Sequence, residues 1–354
     1  MGKLRVAVLM GGLSSERAVS LSTGRMILES LDRQKYEAIP VDAALLSGSV
    51  QRSLPGSETQ VAAIAEAERA LARIGPLRSI SDMTSSRVGR RVDLAIIALH
   101  GRFGEDGTIQ GLLELLGIPY TGSGVLASAL AMDKITSKRV LRHAGVNVPE
   151  SVDILRRSDL AKRDILAEVR ALGYPVMVKP NRQGSTIGMT KVESDRPAGA
   201  GGLLAAVEEA FKYDSQVLVE EFVPGTEITV GLLGNEEPQV LPIVEIVPAE
   251  GFYDYHAKYT PGATDEIVPA RISEAVADRA RKLAVIAHQA LGCSGMSRVD
   301  MIVRPDQEVV VLELNTIPGM TPTSLLPTAA RAAGIEFPEL LDRLIQLALE
   351  EEQV

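Results

Sequence analysis

The sequence predicts a mixed α/β and α+β protein in three parts: an N-terminal parallel α/β domain (residues 1–122), a small central α+β domain (123–220) and a C-terminal antiparallel-sheet domain (221–354). Near the N-terminus, apolar runs alternate with glycine turns and helical patterns, which is typical of a parallel sheet. Further along, paired β-type runs are joined by short turns that contain glycine or proline, which indicates antiparallel hairpins.

The N-terminal part contains two strand-like runs, LRVAVLM (4–10) and VDLAIIALHG (92–101). Each run leads into a glycine turn, and the first turn is followed by a helical pattern over residues 15–31. In parallel α/β domains, functional groups gather where the strands end. Residues 44–90 are polar and weakly patterned, so we expect a surface excursion with one helix near 58–74 and little chemistry.

The central part begins with a helical pattern, VLASALAMDKITSKRVLRHAG, which ends at Gly145 and Pro149. YPVMVKPNRQGSTIGMTKV (174–192) is typical of a strand, a glycine-rich turn and a second strand. QVLVEEFVPGTEITVGLL (216–233) predicts two further strands. The remaining sequence predicts antiparallel strands, an aromatic loop at 252–260, and helices near 273–291 and 336–350.

The composition indicates an ordinary globular protein. Its formal net charge of −9 argues against nucleic acid or an anionic membrane as the main partner. A single cysteine, Cys293, excludes an internal disulfide and a cysteine-cluster metal site, and the four histidines do not fall at zinc spacing. The N-terminus enters a strand without a signal-peptide pattern, and no apolar stretch reaches membrane-spanning length, so we expect a cytoplasmic protein.

A hairpin is predicted in SRVDMIVRPDQEVVVLEL (297–314), because Pro305 and Asp306 form a turn signal between two apolar runs. A loop at 305–308 would set the strand pairing. The expected cross-strand pairs are 304 with 309, 302 with 311, Asp300 with Glu313, and Arg298 with Asn315.

This register predicts a metal site. Two carboxylates opposed on one sheet face lie about 5 Å apart and repel each other. A divalent cation removes that repulsion, and Asp, Glu and Asn supply the oxygen ligands that suit Mg²⁺ or Mn²⁺ rather than zinc. Two other interpretations stay open from the residues alone: a solvated charged strand face, or one carboxylate paired with Arg298.

Two further segments are compatible with nucleotide binding. Lys179 ends an apolar strand directly before the loop PNRQGSTIG, whose backbone amides and neighbouring ammonium group suit phosphate oxygens. The strand end VLVEEFVPGTE offers an extended backbone for an adenine and carboxylates for ribose hydroxyls. An ordinary hairpin, a charged strand end and a surface position for Lys134 remain alternatives at this point.

Taken in order, several segments resemble those of D-alanine–D-alanine ligases, a family with the ATP-grasp fold. They are GGLSSERAVSLSTG, ALHGRFGEDGTIQGLLELLGIPYTGSGVLASALAMDK, VKPNRQGSTIGM, FYDYHAKY, SRVDMIV and LELNTIPGMTPTSLLP. The resemblance covers nearly the whole chain except residues 44–90. It implies ATP-dependent ligation of two D-alanines through a D-alanyl phosphate, for peptidoglycan precursors, in a bacterial cytoplasm and usually by a homodimer.

The resemblance also implies residue roles in binding the amino acids. The amino group of the first D-alanine would be oriented by Glu16, with Ser185 and Tyr259 as hydrogen-bonding partners that join the closing loops. His100 would lie near the first carboxylate. Arg298 and the Gly319 amide would form the oxyanion site. The second D-alanine would bind at Ser324 and Leu325, and Lys258 would also contact the substrate.

For ATP and metal, the resemblance implies sites in agreement with the strand register. The phosphates would contact Lys134, Lys179 and Lys258, with Ser185 in the loop between. Adenosine would bind along Glu220, Glu221, Phe222, Val223 and Glu227, where the pair Glu221-Phe222 departs from commoner relatives. Two Mg²⁺ or Mn²⁺ ions would be held by Asp300, Glu313 and Asn315.

The aromatic segment FYDYHAKY is a candidate lid over the reactive intermediate, and a core cluster under a loop is the alternative. Its Tyr259 favours dipeptide over depsipeptide synthesis, since relatives that use D-lactate typically lack a tyrosine there. Other interpretations are a D-alanine–D-lactate or D-alanine–D-serine ligase, another ATP-grasp carboxylate–amine ligase, or an ATP-binding regulator without turnover. A regulator would be expected to have lost a metal ligand or Arg298, and all are present.

Overall fold

The fold contains three principal β-sheets. The computed structural model describes residues 2–46, 49–50, 58–83, 91–194, 202–249 and 262–350. Within these ranges, none of the helices combines the length and the apolar character that a membrane crossing requires.

The N-terminal part is built on a three-stranded parallel sheet with the strand order β2-β1-β5. Its elements, in chain order, are β1 (Leu4–Met10), α1 (Arg17–Ser30), β2 (Tyr36–Asp42), β3 (Leu45–Leu46), β4 (Ser49–Val50), α2 (Glu58–Ile74), a 3₁₀ turn (Ile80–Met83), β5 (Leu94–Ile97) and α3 (Thr108–Leu116). The central strand β1 is almost entirely buried, as expected for a strand flanked on both sides. The predicted parallel α/β arrangement is therefore confirmed.

Helix α2 confirms the helix predicted within the 44–90 excursion, but this helix is not merely superficial. It packs against α1, and Leu71 is fully buried in the core that also contains Leu9 and Leu21. Arg17 of α1 also forms two ion pairs: its Nη2 lies 2.7 Å from the buried Asp42 of β2 and 2.9 Å from the half-exposed Glu68 of α2. This burial could not be predicted from the segment's own sequence, because it depends on α1, a partner helix distant in the chain.

The central part contains a four-stranded antiparallel sheet with the order β6-β9-β7-β8. Its elements are α4 (Val125–Met132), α5 (Lys134–His143), β6 (Ser151–Ile154), α6 (Asp159–Lys162), α7 (Ile165–Leu172), β7 (Val176–Pro180), β8 (Thr190–Val192), α8 (Leu203–Ala210) and β9 (Val217–Glu221). The single helix expected after residue 124 is wrong: it is divided in two at Asp133. The Asp133 side chain accepts a hydrogen bond from the Thr136 amide and so caps a new helix that begins at Lys134.

The C-terminal part contains a six-stranded sheet with the order β13-β12-β10-β14-β15, and β11 also pairs with β10. Its elements are β10 (Thr226–Leu233), β11 (Gln239–Val240), β12 (Val244–Pro248), β13 (Thr264–Ile267), α9 (Glu274–Ala290), β14 (Met296–Val303), β15 (Val309–Asn315), α10 (Leu325–Ala332) and α11 (Phe337–Glu350). All strand pairs are antiparallel, as predicted, and the helices expected near 273–291 and 336–350 are present.

The hairpin β14–β15 has the predicted pairing at its base and a different pairing near its turn. Asp300 lies opposite Glu313, and Arg298 opposite Asn315, as expected. Nearer the turn, 302 pairs with 310 and 303 with 309, so the expected pairs 302–311 and 304–309 are wrong. The turn is one residue longer than predicted, and a β-bulge at Leu312 restores the register.

The bulge decides which face each side chain of β15 occupies. Val309 and Val311 pack in the core under α9, whereas Val310 and Leu312 pack on the opposite side with Ile302. Beyond the bulge, Glu313 lies on the same side as Leu312, because one extra residue reverses the alternation of a strand. An apolar strand can therefore carry a carboxylate on the open face of the sheet.

Candidate active site

Two adjoining cavities lie along the open face of the six-stranded sheet. The first cavity, of about 380 Å³, is lined by the four-stranded and six-stranded sheets and includes Lys179, Glu220, Asp300 and Leu312. The second cavity, of about 460 Å³, is lined by α1, the segment after β5 and the segment from β14 to α10, and includes Glu16, His100, Arg298 and Ser324. The residues that line both cavities are Gly184, Ser185 and Glu313.

Asp300 is held by three side chains at the junction of the cavities. Arg298 donates two hydrogen bonds to its carboxylate, from Nε to Oδ1 (2.8 Å) and from Nη2 to Oδ2 (2.7 Å). Thr229 Oγ1 donates to Oδ1 (2.6 Å), and Asn315 Nδ2 donates to Oδ2 (3.0 Å). The pairing with Arg298 that the sequence left open is therefore real, and Asp300 still faces Glu313 across the hairpin.

The donor set at this junction suits a hard divalent cation. Two carboxylates, Asp300 and Glu313, and the carboxamide of Asn315 are oxygen ligands. No group of three or more His, Cys, Asp or Glu residues that could hold a metal occurs in the described part of the chain. A metal ion here would consequently depend on Asn315 and on water or ligand oxygens, which is the usual situation for Mg²⁺.

Lys134 contacts both Glu313 and the glycine-rich loop that follows β7. As the first residue of α5, it places its ammonium 3.2 Å from Glu313 Oε2 and donates a hydrogen bond to the Gln183 carbonyl (2.8 Å). The next turn of the loop has Ser185 and Thr186 at positive φ, 50° and 63°. Such left-handed non-glycine residues are uncommon and cluster at functional sites.

Lys179 and Glu220 form a buried ion cluster with a residue that the sequence analysis did not select, Lys138. Lys179 Nζ lies 2.5 Å from Glu220 Oε2, and the Lys138 ammonium contacts Glu220 Oε1. Lys138 is only 3% exposed and Glu220 only 2%. Burial alone would raise the pKa of Glu220, but the two lysines hold it below its usual value. The sequence did contain one indication of a role for Lys138: it follows Lys134 by one helical turn, so both side chains lie on the same face of the helix.

The predicted adenosine segment lines the first cavity with Glu220, Glu221, Phe222, Val223 and Glu227. The departure at Glu221 has a structural partner: its Oε1 accepts hydrogen bonds from Arg304 Nη2 (2.9 Å) and from the Glu150 amide (3.2 Å). The Lys191 ammonium lies over the ring of Phe222, 4.1 Å from the ring centroid, in a cation–π contact. Val223 is buried with Ile302, Val310 and Leu312, which form an apolar wall.

In the second cavity, Glu16 and Ser185 lie together, and the Ser185 hydroxyl donates a hydrogen bond to Glu16 Oε1. His100 is buried, with Nε2 3.2 Å from Thr23 Oγ1. Burial and the charge of Arg298 lower the pKa of His100 to about 4, so the ring is neutral near pH 7.

Glu105 also lines this cavity and was missed by the sequence analysis. Its Oε2 accepts a hydrogen bond from the Gly101 amide (2.5 Å). Burial and the charge of Glu16 raise the pKa of Glu105 to about 8. Its position could have indicated a role in the site, because Glu105 lies in the segment after β5, five residues beyond His100.

The far side of the second cavity is lined by Gly319, Ser324 and Leu325 together with Arg298. Ser324 Oγ accepts a hydrogen bond from the Thr321 amide (3.1 Å), and Ser324 is the N-cap of α10. The first turn of this helix therefore faces the cavity, where backbone N–H groups favour an anion.

Two cavity residues come from unexpected places. Glu266 of β13 lines the second cavity, and burial raises its pKa. Ala63 of α2 lines it too, so the 44–90 excursion contributes a wall of the site. Lys258 and Tyr259, with the rest of the predicted lid at 252–260, lie outside the described residues.

Comparisons with known proteins agree with this arrangement. The chain matches the family models "D-ala D-ala ligase N-terminus" over residues 5–123 and "D-ala D-ala ligase C-terminus" over residues 140–346. It is 46% identical to a D-alanine–D-alanine ligase of Pelotomaculum thermopropionicum, over 98% of this chain and 97% of the relative.

Solved structures are similar over nearly their whole length. The VanG D-Ala:D-Ser ligase of Enterococcus faecalis is 35% identical, with a TM-score of 0.77 over 98% of this chain and 100% of that one. The D-alanine–D-alanine ligase of Bacillus anthracis in complex with ATP is 34% identical, with a TM-score of 0.73 over 99% of both chains. The ATP-grasp fold predicted from the motifs is confirmed, and the chain belongs to the D-alanine–D-alanine ligase family.

Proposed function

We propose that the protein joins two D-alanine molecules to D-alanyl-D-alanine with cleavage of ATP to ADP and phosphate, through a D-alanyl phosphate. The observation that carries this proposal is the junction of the two cavities at Gly184, Ser185 and Glu313. A nucleotide in the first cavity and an amino acid in the second would meet there. The reaction needs this contact, because the γ-phosphate must reach a carboxylate.

In the first half-reaction, the carboxylate of one D-alanine attacks the γ-phosphate of ATP, and ADP leaves. Lys134 and Lys179, which lie beside Glu313 and Glu220, would bind the phosphate oxygens and stabilise the charge that develops on them. Asp300, Glu313 and Asn315 would hold Mg²⁺ or Mn²⁺, two ions in all. The metal would supply positive charge to the transferring phosphoryl group.

In the second half-reaction, the amine of a second D-alanine attacks the acyl carbon, and phosphate leaves. The tetrahedral oxyanion would be stabilised by Arg298 and the Gly319 amide. Ser324, Leu325 and the first turn of α10 would bind the second carboxylate. Lys258 and Tyr259 would belong to the lid that keeps water from the acyl phosphate.

The biological setting completes the proposal. We expect a homodimer in a bacterial cytoplasm that supplies the dipeptide for peptidoglycan precursors. A second candidate activity is D-alanyl-D-serine synthesis, because a D-Ala:D-Ser ligase is 35% identical to this chain over 98% of its length.

The test is phosphate release by the purified protein with ATP and Mg²⁺, with products identified by mass. The amino acids supplied would be D-alanine alone, L-alanine alone, and D-alanine with an excess of D-serine or D-lactate. D-alanyl-D-alanine from D-alanine, and nothing from L-alanine, would support the proposal. A mixed product in preference to the dipeptide would move the protein to another substrate class, and no turnover at all would favour the regulator.

A further inference from the structure

Two carboxylates meet at the end of the second cavity where β5 stops. Glu16 precedes α1, and Glu105 lies in the loop before α3; both line the cavity. Gly101 connects them: its amide donates to Glu105 Oε2 (2.5 Å), and a Cβ added to it would lie 2.6 Å from Glu16 Oε2. The two carboxylates therefore approach the same backbone residue.

The charges near Glu105 act in opposite directions on its protonation. Lys134 and Arg298 favour the ionised form of Glu105, but Lys134 also contacts Glu313, and Arg298 is bonded to both oxygens of Asp300. Burial and Glu16 outweigh them, so that Glu105 has a pKa of about 8. The nearby His100 is neutral, since its pKa is lowered to about 4. One member of the carboxylate pair consequently keeps its proton near pH 7.

We propose that Glu105 is a second carboxylate, beside Glu16, for the ammonium group of the first amino acid, and that it releases its proton to solvent as this ammonium enters. The inference rests on the proposed function. As at Asp300 and Glu313, two neighbouring carboxylates are stable together when a cation lies between them. Here the substrate supplies the cation, so a first substrate without an amine would bind poorly.

The first experiment compares KM for the first D-alanine in the wild type and Glu105→Gln between pH 6 and pH 9. Glutamine keeps an oxygen for the Gly101 amide and resembles the protonated carboxyl. We expect KM to rise about tenfold at pH 8.5, the low end for loss of a charge-assisted contact. The difference should disappear towards pH 6, where the wild type is itself protonated. KM for ATP should not change.

Asp106→Asn is the matched control. Asp106 is the neighbouring acid in the same loop, and its carboxylate accepts hydrogen bonds from the Phe103 and Thr108 amides. We expect its KM to follow the wild type at every pH. A purely structural role for Glu105 would instead raise KM, or lower kcat, by the same factor across the whole range, and this result would overturn the proposal.

A second experiment is independent of the variant. Calorimetric titration with D-alanine, with Mg²⁺ and a non-hydrolysable ATP analogue present, would be run at pH 7 in two buffers of different ionisation enthalpy. We expect the wild type to release about half a proton as the first site fills, the amount that a tenfold change in affinity and a pKa of about 8 imply at pH 7. Propionate, which lacks the amine, should release none. The absence of proton release from the wild type would refute the proposal even if Glu105→Gln did not fold. A wrong proposed function would be recognised separately, by the lack of dipeptide in the wild-type assay.

Discussion

The two cavities differ in how their charges are balanced. In the first cavity, carboxylates contact lysines directly: Glu220 lies between Lys138 and Lys179, and Glu313 contacts Lys134. In the second cavity, Glu16 and Glu105 lie close to one another, and burial together with Glu16 raises the pKa of Glu105. The first cavity thus holds its cations ready for an anionic ligand, whereas the second brings two carboxylates together.

This difference indicates what each ligand must bring. A triphosphate carries negative charge, so it can take over lysines that the protein already neutralises with its own carboxylates. An amino acid carries an ammonium group, which relieves a carboxylate pair. Removing a charged group from the first cavity should consequently weaken the protein or its ligand binding. Removing a carboxylate charge from the second cavity should stabilise the ligand-free protein. The following experiments test this contrast.

The largest effect is expected at the junction. Glu313→Gln should reduce turnover by at least about 10²–10³-fold, because it removes a metal ligand and the electrostatic stabilisation that depends on it. The fold should persist by circular dichroism. Glu308→Gln, on the exposed turn of the same hairpin, is the control and should retain activity in the phosphate-release assay. Comparable rates for the two variants would remove Glu313 from the metal site.

The next effect compares a buried ion pair with an exposed one on the same helix. Lys138→Met should lower the free energy of unfolding by about 3 kcal/mol and raise KM for ATP, because Glu220 loses one of its two buried partners. Arg139→Met is the neighbouring control. Arg139 is 56% exposed in its ion pair with Asp153, so its loss should cost at most about 1 kcal/mol. Urea unfolding measures both values, and equal losses would argue against the buried cluster.

A smaller effect is expected from the apolar wall of the first cavity. Leu312→Ala should raise KM for ATP by about five- to thirtyfold and leave kcat nearly unchanged, since it removes apolar contacts worth about 1–2 kcal/mol. Leu155→Ala, a half-exposed leucine on another part of the surface, should change neither constant. A fall in kcat without a change in KM would indicate that Leu312 acts by positioning Glu313 through the bulge, and not by contacting the adenine base.

The smallest effect has the opposite sign. The pKa of Glu105 is about 8 in the folded protein, against an ordinary value of 4.5 for a glutamate in the unfolded chain, so the folded form binds the extra proton between these values. Stability contributed by this group is present at low pH and is lost as the pH rises towards 8. Glu105→Gln should therefore raise the melting temperature of the ligand-free protein at pH 8.5 by about 2 °C. The gain should vanish below pH 5; a loss at pH 8.5 would contradict the contrast.

The residues of the proposed metal site could be predicted from strand register, because local geometry places them, whereas the residues for the amino acids were implied by the family resemblance. Asp300 and Glu313 face each other because the hairpin is short, although two departures from the predicted pairing, a longer turn and the bulge at Leu312, cancel at this point. Lys138 and Glu105 were missed for a different reason. Each is an ordinary charged residue in its own segment, and only burial against distant partners, Glu220 and Glu16, gives it a role.

The amino-acid sequence alone determined the fold class, the order of the motifs and the opposed carboxylates of β14 and β15. These follow from periodicity, turn residues and strand pairing over a few residues, which are local interactions. Tertiary structure decided which cavity each charge belongs to, which carboxyl keeps its proton and how α2 reaches the second cavity. These properties depend on desolvation and on charges brought together from distant segments, and such terms arise only once the chain has folded.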